Sequence, residues 1–534
     1  MPIWSFLAIV LTIASLIPVA AKAQATAVSG TVADKNGSPL AGATVMEKGS
    51  ANGTTTNLSG DFHLNVSGPN VTLVISPVGY EDVNFPLNGQ TEVNITMTLS
   101  TKTLDQVVVV GYGTQKKLDV TGSVATVSGS DIAKQSSYNP LSGLQGKVAG
   151  VQITNAGSPG APPQVTIRGV GTVYGNTNPL YVVDGVWYDD ISFLNSNDIA
   201  SISVLKDASA ESIYGIRAAN GVILVTTKKG KVDGKAVINY NGYAGNQVVT
   251  NEPKMANGPE YAQMINEVDA LNGAPALYPD PNSFGTTDWY HLILRNAMVT
   301  NHQLSVTGGG KASDYNFSMG YYHQDGLVKK SDFDRYNVHI SNDYQLTRFL
   351  KVGINTTGLF SRSNDAPGGI FYSLFNAAPI VPAFYSDGSY GDPSDFNIAA
   401  ANQKNPQENI DFNHHRTKTY KLNGNLFAEV KFLKYFTFHT SAGAVYEQAE
   451  GTGYTPFTNY SYIPVALRNT HSVLGINRNE IRNYIVENTL TFQKRFGAHS
   501  VTALAGQGAQ EYRTYSFNAS VQDVPQGAST QYLS

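Results

Sequence analysis

The hydrophobic pattern divides this chain into five stretches. Ile3 to Ala20 is an almost unbroken apolar run, and Ala21-Lys-Ala23 follows it with the small-x-small form of a cleavage site. That combination predicts a secretory signal peptide over residues 1–23. No Lys or Arg precedes the run, so the positive charge at its start reduces to the amino terminus. The alternative is a membrane anchor, since about 18 apolar residues just span a bilayer. No other stretch is long and apolar enough for a transmembrane helix, so any other membrane segment must be a strand.

Residues 24–100 alternate with period two in short bursts: Ala27–Ala33, Ala43–Glu47, Gly60–Val66, Val71–Ile75 and Glu92–Leu99. Turn clusters such as Asp34-Lys-Asn-Gly37 and Ala51-Asn-Gly53 separate them. Many short strands with frequent turns predict a small β-sandwich. Residues 101–114 contain Val107-Val-Val-Val110, four residues of high strand propensity, followed by Gly111, Tyr112 and Gly113. Two readings stay open for this segment. It is either one more strand of the sandwich or an extended tether that adds to the exposed sheet edge of a partner.

Residues 115–230 mix periods. Pro140–Gln145 suits a short helix, and Val165–Arg168, Leu180–Val183, Val186–Tyr188, Ile199–Leu205 and Val222–Thr227 suit strands. Asp184-Gly185 is a strong hairpin signal. Asp207 can cap a helix running to Tyr214, with Gly215 ending it. From 231 to 534 the strands lengthen and interleave Tyr, Phe, Asn and Ser, as in Tyr315–Tyr322, Arg335–Ser341, Lys421–Val430 and Tyr484–Phe492. Segments of about ten residues with one apolar and one polar face are the mark of a transmembrane β-barrel. Sharp turns at Leu433-Lys434 and Phe496-Gly-Ala498 alternate with long connections from Gln247 to Thr300 and from Ser363 to Arg416. About nine or ten strands fit into this region.

Composition narrows the possibilities. Charged residues make up 14% of 534 residues, and the formal net charge is −4. Nucleic-acid binding calls for a basic face, so nucleic acid is excluded as a partner. With no cysteine there is no disulfide scaffold and no Cys-ligated metal. No catalytic, cofactor or metal constellation emerges. Gly169-Val-Gly-Thr-Val-Tyr-Gly175 lacks the following helix that a dinucleotide loop needs. His414-His415 diverge in a polar loop, and Asp189-Asp190 and Asp332-Phe-Asp334 read as exposed loop acids. His63 has no second ligand at zinc spacing.

Seven phrases occur in order: Gln106-Val-Val-Val-Val-Gly-Tyr-Gly-Thr114, Leu144-Gln-Gly-Lys-Val-Ala-Gly-Val151, Val165-Thr-Ile-Arg-Gly169, Pro179-Leu-Tyr-Val-Val-Asp-Gly185, Asp198–Ala210, Ile213-Tyr-Gly-Ile-Arg-Ala-Ala-Asn-Gly221 and Val222–Thr227. Together they resemble the plug of a TonB-linked (TonB-dependent) outer-membrane transporter of the SusC/RagA type. Val28–Asp34, Pro39–Val45, Gly60-Asp-Phe62 and Val78-Gly-Tyr80 resemble a carboxypeptidase regulatory-like domain, an accessory sandwich without catalytic residues.

The resemblance implies a mainly β chain: the sandwich at 24–100, a TonB-box tether at 101–114, a mixed α/β plug at 115–230, and an incomplete antiparallel barrel at 231–534. It places the TonB box on Val107, Val108, Val109, Val110, Gly111 and Tyr112. Arg168, Gly169, Asp184, Gly185, Asp207, Tyr214, Gly215, Arg217 and Gly221 become structural plug positions, with Arg168 and Arg217 expected to pair with barrel-wall acids. It implies import of a nutrient, an oligosaccharide or a peptide, rather than an enzymatic reaction. The implied partners are a TonB-type inner-membrane energy-coupling complex, a SusD-like surface lipoprotein and outer-membrane lipid. A plugged barrel of about 22 strands needs roughly twice the residues present, so a longer transporter is expected. A TonB-linked sensor and a secreted β-rich adhesin or carbohydrate-binding protein are the alternatives.

Overall fold

The computed structural model describes residues 26–524 apart from 36, 51, 78–79, 99–106, 111–112, 117–123, 136, 173–174, 176, 208–210, 231–232, 399–404, 458–469 and 498. The expected signal peptide, Gly111 and Tyr112 lie outside these residues, as do parts of the expected turns at Ala51 and Ala498. The chain divides into two compact units.

The first is the sandwich. β1 (Thr26–Asp34), β4 (Asp61–Val66) and β7 (Glu92–Met97) form one sheet in the order β4-β1-β7. β2 (Thr44–Glu47), β3 (Gly53–Thr55), β5 (Thr72–Ser76) and β6 (Val83–Pro86) form the other in the order β3-β2-β5-β6. Inward-facing Val28, Val32, Val45, Phe62, Leu73 and Ile95 make its core. β3 and β6 escape the period-two reading because each is only three or four residues long. His63 is exposed on β4.

β8 (Val107–Val110) and β9 (Gly113–Lys116) form a two-stranded sheet of their own, so the valine run is not a strand of either sandwich sheet.

The second unit begins with the mixed region. β10 (Val124–Ser128), β13 (Leu180–Val183), β14 (Val186–Tyr188), β15 (Ile199–Leu205) and β16 (Val222–Thr227) form a sheet in the order β10-β15-β16-β13-β14. β11 (Val151–Thr154) and β12 (Gln164–Ile167) pair separately. Pro140–Leu144 is the expected short helix, in 3₁₀ form, with the Asn139 side chain capping it. Buried Leu144, Val183, Val186, Ile191, Phe193, Ile202 and Val225 form the core, and Val445 and Ile485 of the following sheet complete it.

That following sheet is a nine-stranded antiparallel meander: β17 (Val237–Gln247), β18 (Ala297–Gly309), β19 (Ser313–Asp325), β20 (Asp332–Thr347), β21 (Leu350–Asn364), β22 (His414–Phe432), β23 (Phe436–Thr455), β24 (Val473–Phe496) and β25 (His499–Gln522). Among the described residues it is open, with β17 and β25 at its edges. Four tight turns lie on one rim. Leu433 and Lys434 take φ of 46° and 62°, the left-handed pair of a hairpin turn. The connections from β17 to β18, from β21 to β22 and from β23 to β24 leave from the other rim. Short turns on one rim and long loops on the other fit an outer-membrane barrel, whose long loops face outward.

The wall is inverted relative to a soluble sheet. On β20, Arg335, Asn337, His339, Ser341 and Asp343 are 1–3% exposed, while Tyr336, Val338, Ile340 and Tyr344 are 40–49% exposed. The polar side chains face the mixed unit and the apolar ones face outward, as lipid requires. An aromatic belt crosses the outer face through Tyr321, Tyr336, Phe360 and Tyr420, with successive ring centroids 4.9, 6.1 and 5.0 Å apart. A second belt, Phe432, Phe436 and Phe492, sits at the short-turn rim with spacings of 5.6 and 5.1 Å. Tyr336 to Leu346 rises about 33 Å along the strand, or about 25 Å once tilted, the height of an apolar band between aromatic girdles.

β22 to β25 run 19 to 24 residues, well beyond the ten or so expected. Beyond the lipid both faces are wet, so the sequence loses its alternation there while the strand hydrogen bonds continue. The two longest loops also fold. Tyr278, Trp289, Ile293, Ile370, Leu374 and Ile410 share a core, and Trp289 Nε1 donates to the Ala378 carbonyl at 3.1 Å.

Candidate functional site

The boundary between the mixed unit and the barrel wall gathers most of the singled-out residues. Asp184 and Gly185 form the β13–β14 turn with φ of 47° and 90°. The Asp184 carboxylate accepts from Thr227 N at 3.0 Å and Thr227 Oγ1 at 2.6 Å, and from Asn355 Nδ2 on the wall. One side chain thus closes the hairpin, ties it to β16 and reaches the barrel.

Arg168 takes φ 57° and Gly169 φ 89° directly after β12. Arg168 Nη2 meets Asp207 Oδ1 at 2.5 Å. Arg217 Nη2 meets Asp189 Oδ1 at 2.8 Å, and its Nη1 donates to Gln510 Oε1 on β25 at 2.8 Å. The expected pairing of these arginines with wall acids is therefore corrected. Each finds an acid on a neighbouring loop of its own unit, which leaves Arg217 a neutral partner on the wall. Glu211 N donates to Asp207 O at 3.1 Å, a helical spacing, with residues 208–210 outside the described set. Tyr214 is buried, and Gly215 breaks the 3₁₀ helix Ser212–Ala218 with φ 62° rather than ending it. Gly221 has φ 92°, and a Cβ there would sit 2.6 Å from Ile167 Cδ1.

The sequence missed the wall's own contributions. Arg335 is buried and lacks a carboxylate partner among the described residues. Its Nη1 donates to the carbonyls of Tyr138 at 3.1 Å and Ser192 at 2.7 Å. Its guanidinium lies 4.9 Å from the Tyr138 ring centroid and 5.8 Å from that of Tyr322. Burial, with Asp190 adding, pushes the Tyr138 phenol up to about 12, so this ring stays neutral beside Arg335. Lys421 Nζ reaches Glu447 at 2.8 Å and Asp190 at 3.7 Å. At the exit of the mixed unit, Lys229 meets wall Asp343 at 2.8 Å. Asp198 is buried and accepts from Gln303 Nε2 at 2.6 Å. Burial pushes its carboxyl up, against smaller opposing effects of His339, Ser318 and Gln303.

A cavity of about 270 Å³ lies at the long-loop end of this boundary. Tyr138, Ser158 and Asp190 line one side, and Ser361, Lys421 and Glu447 the other. Hydroxyls, carboxylates, an ammonium and an aromatic face suit a polar ligand.

Other sequence candidates are placed elsewhere. His414 and His415 open β22 rather than lying in a loop. Asp334 is not an exposed loop acid. It is buried on the outer face, accepting from Tyr321 Oη at 3.0 Å and from Arg362, with His323 Nδ1 at 2.9 Å. Asp189 and Asp190 diverge to Arg217 and Lys421 rather than acting together. Among the described residues, Glu252, Asp288 and His291 are grouped closely enough for a metal, but all three are exposed.

Residues 116–222 match the family described as TonB-dependent Receptor Plug Domain, and residues 28–109 match the CarboxypepD_reg-like domain. "TonB-dependent receptor P26" of Formosa agariphila is 33% identical over 504 residues, covering 92% of this chain and 50% of that protein. "TonB-dependent receptor SusC" of Bacteroides thetaiotaomicron is 33% identical over 476 residues, covering 82% and 46%. The RagAB peptide importer in its "open-open" state superposes with a TM-score of 0.68 at 26% identity, covering 78% of this chain and 50% of that one. The chain spans about half the length of the curated relatives it matches.

Proposed function

The chain is that of a SusC-type TonB-dependent receptor, and on that premise we propose that it serves energy-coupled import across the outer membrane. Its curated relatives are receptors, not enzymes. In this reading the mixed unit is the plug and the nine-stranded sheet is the barrel wall, seated in outer-membrane lipid. Ligand arrives at the long-loop rim, where the cavity beside Lys421 and Glu447 meets it. The Val107–Tyr112 segment is the handle that a TonB-type inner-membrane complex grips by sheet-edge pairing. No bond in the ligand is made or broken.

The observation that carries this reading is the kind of contact between plug and wall. Asp184–Asn355, Asp198–Gln303, Arg335 with the Tyr138 and Ser192 carbonyls, and Lys229–Asp343 are polar. A net protein hydrogen bond is worth about 1 kcal/mol, and about 1.5–3 kcal/mol where a charged group takes part, because water replaces it when it breaks. Such a boundary holds the pore shut at rest and yields when one end is pulled. An oligosaccharide or a peptide is the expected cargo, delivered by a SusD-like surface lipoprotein. The name of the RagAB peptide importer supports the peptide alternative.

The test deletes Val107–Val110 from the full-length protein and follows uptake of labelled oligosaccharide and peptide mixtures. Uptake falls to background while the amount of protein in the outer membrane and its ligand binding persist. Undiminished uptake refutes the handle. Loss of uptake with intact ligand-dependent gene induction would favour a sensor.

A further inference from the structure

The cavity beside Lys421 and Glu447 is a cleft that follows the wall strands. Leu359, Lys421 and Glu447 share one row across β21, β22 and β23. Ser361 with Thr419 makes the next row, Ser363 with Thr417 the one after, and Asp365 stands beyond them. All of these residues line the cavity. Six residues of strand separate Leu359 from Asp365, a rise of about 20 Å, which is the length of an oligomer.

The charges of the cleft are unequal. Asp190, Asp365 and Glu447 line it against a single cation, Lys421, which leaves a formal charge of −2. The Lys421 side chain is only 9% exposed, and it is held 2.8 Å from Glu447 and 3.7 Å from Asp190. The acids are open by comparison. The side chains of Asp190 and Glu447 are 33% and 24% exposed, and Asp365 is exposed at the mouth. Asp365 has no ion-pair partner among the described residues. Neighbouring cations do not cancel this excess. Arg335 lies outside the lining, and the buried Asp198 acts on its charge. Arg362, Arg416 and Lys418 alternate with the lining residues and so point to the outer face of the wall.

We propose that this cleft selects cargo by charge, admitting an oligomer that carries protonated amines and rejecting its anionic counterparts. An ammonium donates to Asp365 at the mouth or to Glu447 and Asp190 at the far end. The hydroxyl rows between them bond the neutral parts of the cargo. A cleft lined by accessible charge of one sign concentrates ligands of the other. The amine belongs either to a basic peptide or to an amino-sugar oligomer.

The inference rests on the cleft being the cargo site of the import reading. The full-length protein in detergent is titrated calorimetrically with two pairs of probes at constant ionic strength. One pair is a pentapeptide of alternating alanine and lysine and its alanine–glutamate counterpart. The other is a glucosamine pentamer and its fully N-acetylated form. In at least one pair the cationic member binds at least about tenfold more tightly than its counterpart. Asp365→Asn and Glu447→Gln each narrow that preference about threefold or more, and the outer-membrane level of each variant reports folding. The pair that shows the preference identifies the source of the amine. Absence of binding by both cationic probes, counterparts that bind as tightly, or a preference unchanged in both variants overturns the proposal. Binding is read without energy coupling, so these results leave the import reading standing. Uptake that survives deletion of Val107–Val110 removes that reading while the charge preference remains.

Discussion

Asp184 in the plug accepts a hydrogen bond from Asn355, 171 residues further along the chain on the inner face of the barrel wall. The same carboxylate caps Thr227 through its amide and its hydroxyl. Asp184→Ala removes three acceptor contacts and leaves a β-carbon at positive φ, costing about 2–4 kcal/mol in plug stability. Asp184→Asn keeps the turn preference and part of the bonding, and it costs less. Sensitivity of cells to a large antibiotic, carrying the full-length variants at equal outer-membrane level, reports the leak. Leakage rises in the order wild type, Asn, Ala, and an equal response of all three contradicts this latch.

Gly129 starts the helix after β10, where a Cβ would lie 1.8 Å from the Ile199 carbonyl oxygen. The obstacle is backbone of the central sheet, which cannot rotate aside. Gly129→Ala therefore forces β10 away from β15 and costs about 3 kcal/mol. Thermal unfolding of the full-length protein, followed through tryptophan fluorescence, shows the loss. An unchanged midpoint contradicts the tight approach.

The Asp198 carboxyl is held above its ordinary value, chiefly by burial. A carboxyl that is raised on folding prefers the protonated form in the native state. Plug stability therefore falls as pH rises above the ordinary carboxylate range, and the full penalty persists above the raised value. Asp198→Asn removes the charge and retains an acceptor for Gln303. It is more stable than wild type at pH about 8, and the gap narrows toward pH about 4. A gap that is constant with pH, or that widens on acidification, contradicts the assignment.

Ile340 faces outward between the two aromatic belts, and its neighbour Ser341 faces the plug. Ile340→Arg puts a charge near the middle of the lipid and costs about 2–4 kcal/mol. The folded, heat-modifiable band of the full-length protein falls accordingly. Tyr336→Arg, at the belt, costs less because the interface is near. Equal folding of both variants contradicts the lipid-facing assignment.

Much of this architecture was legible where a residue obeys a local rule. Asp184-Gly185 must turn because few other pairs tolerate two positive φ values in succession. Val222–Thr227 must be a buried strand, as a short apolar run bounded by Gly221 and Lys228. The wall strands were legible only where lipid touches one face, so their outward extensions read as loops. Arg335 was not legible as a plug contact. Its alternation places it inside the barrel, but its partners Tyr138 and Ser192 precede it by 197 and 143 residues. The partners of Arg168 and Arg217 were misassigned for the same reason, since charge alone does not say which acid a fold brings near. The shared core of the two long loops, around Trp289 and Ile370, also arises from distant apolar residues with no common period.

The central claim is that the plug must part from the wall for cargo to pass. These 534 residues hold no cysteine, so within them the pair Asp184→Cys and Asn355→Cys supplies the only thiols. Uptake by cells carrying the full-length double variant is measured under oxidising conditions and again after addition of a reductant, with each single variant alongside. The account predicts that uptake stops when the disulfide forms and returns when it is reduced, while both single variants transport throughout. Full uptake with the disulfide demonstrably closed would contradict it.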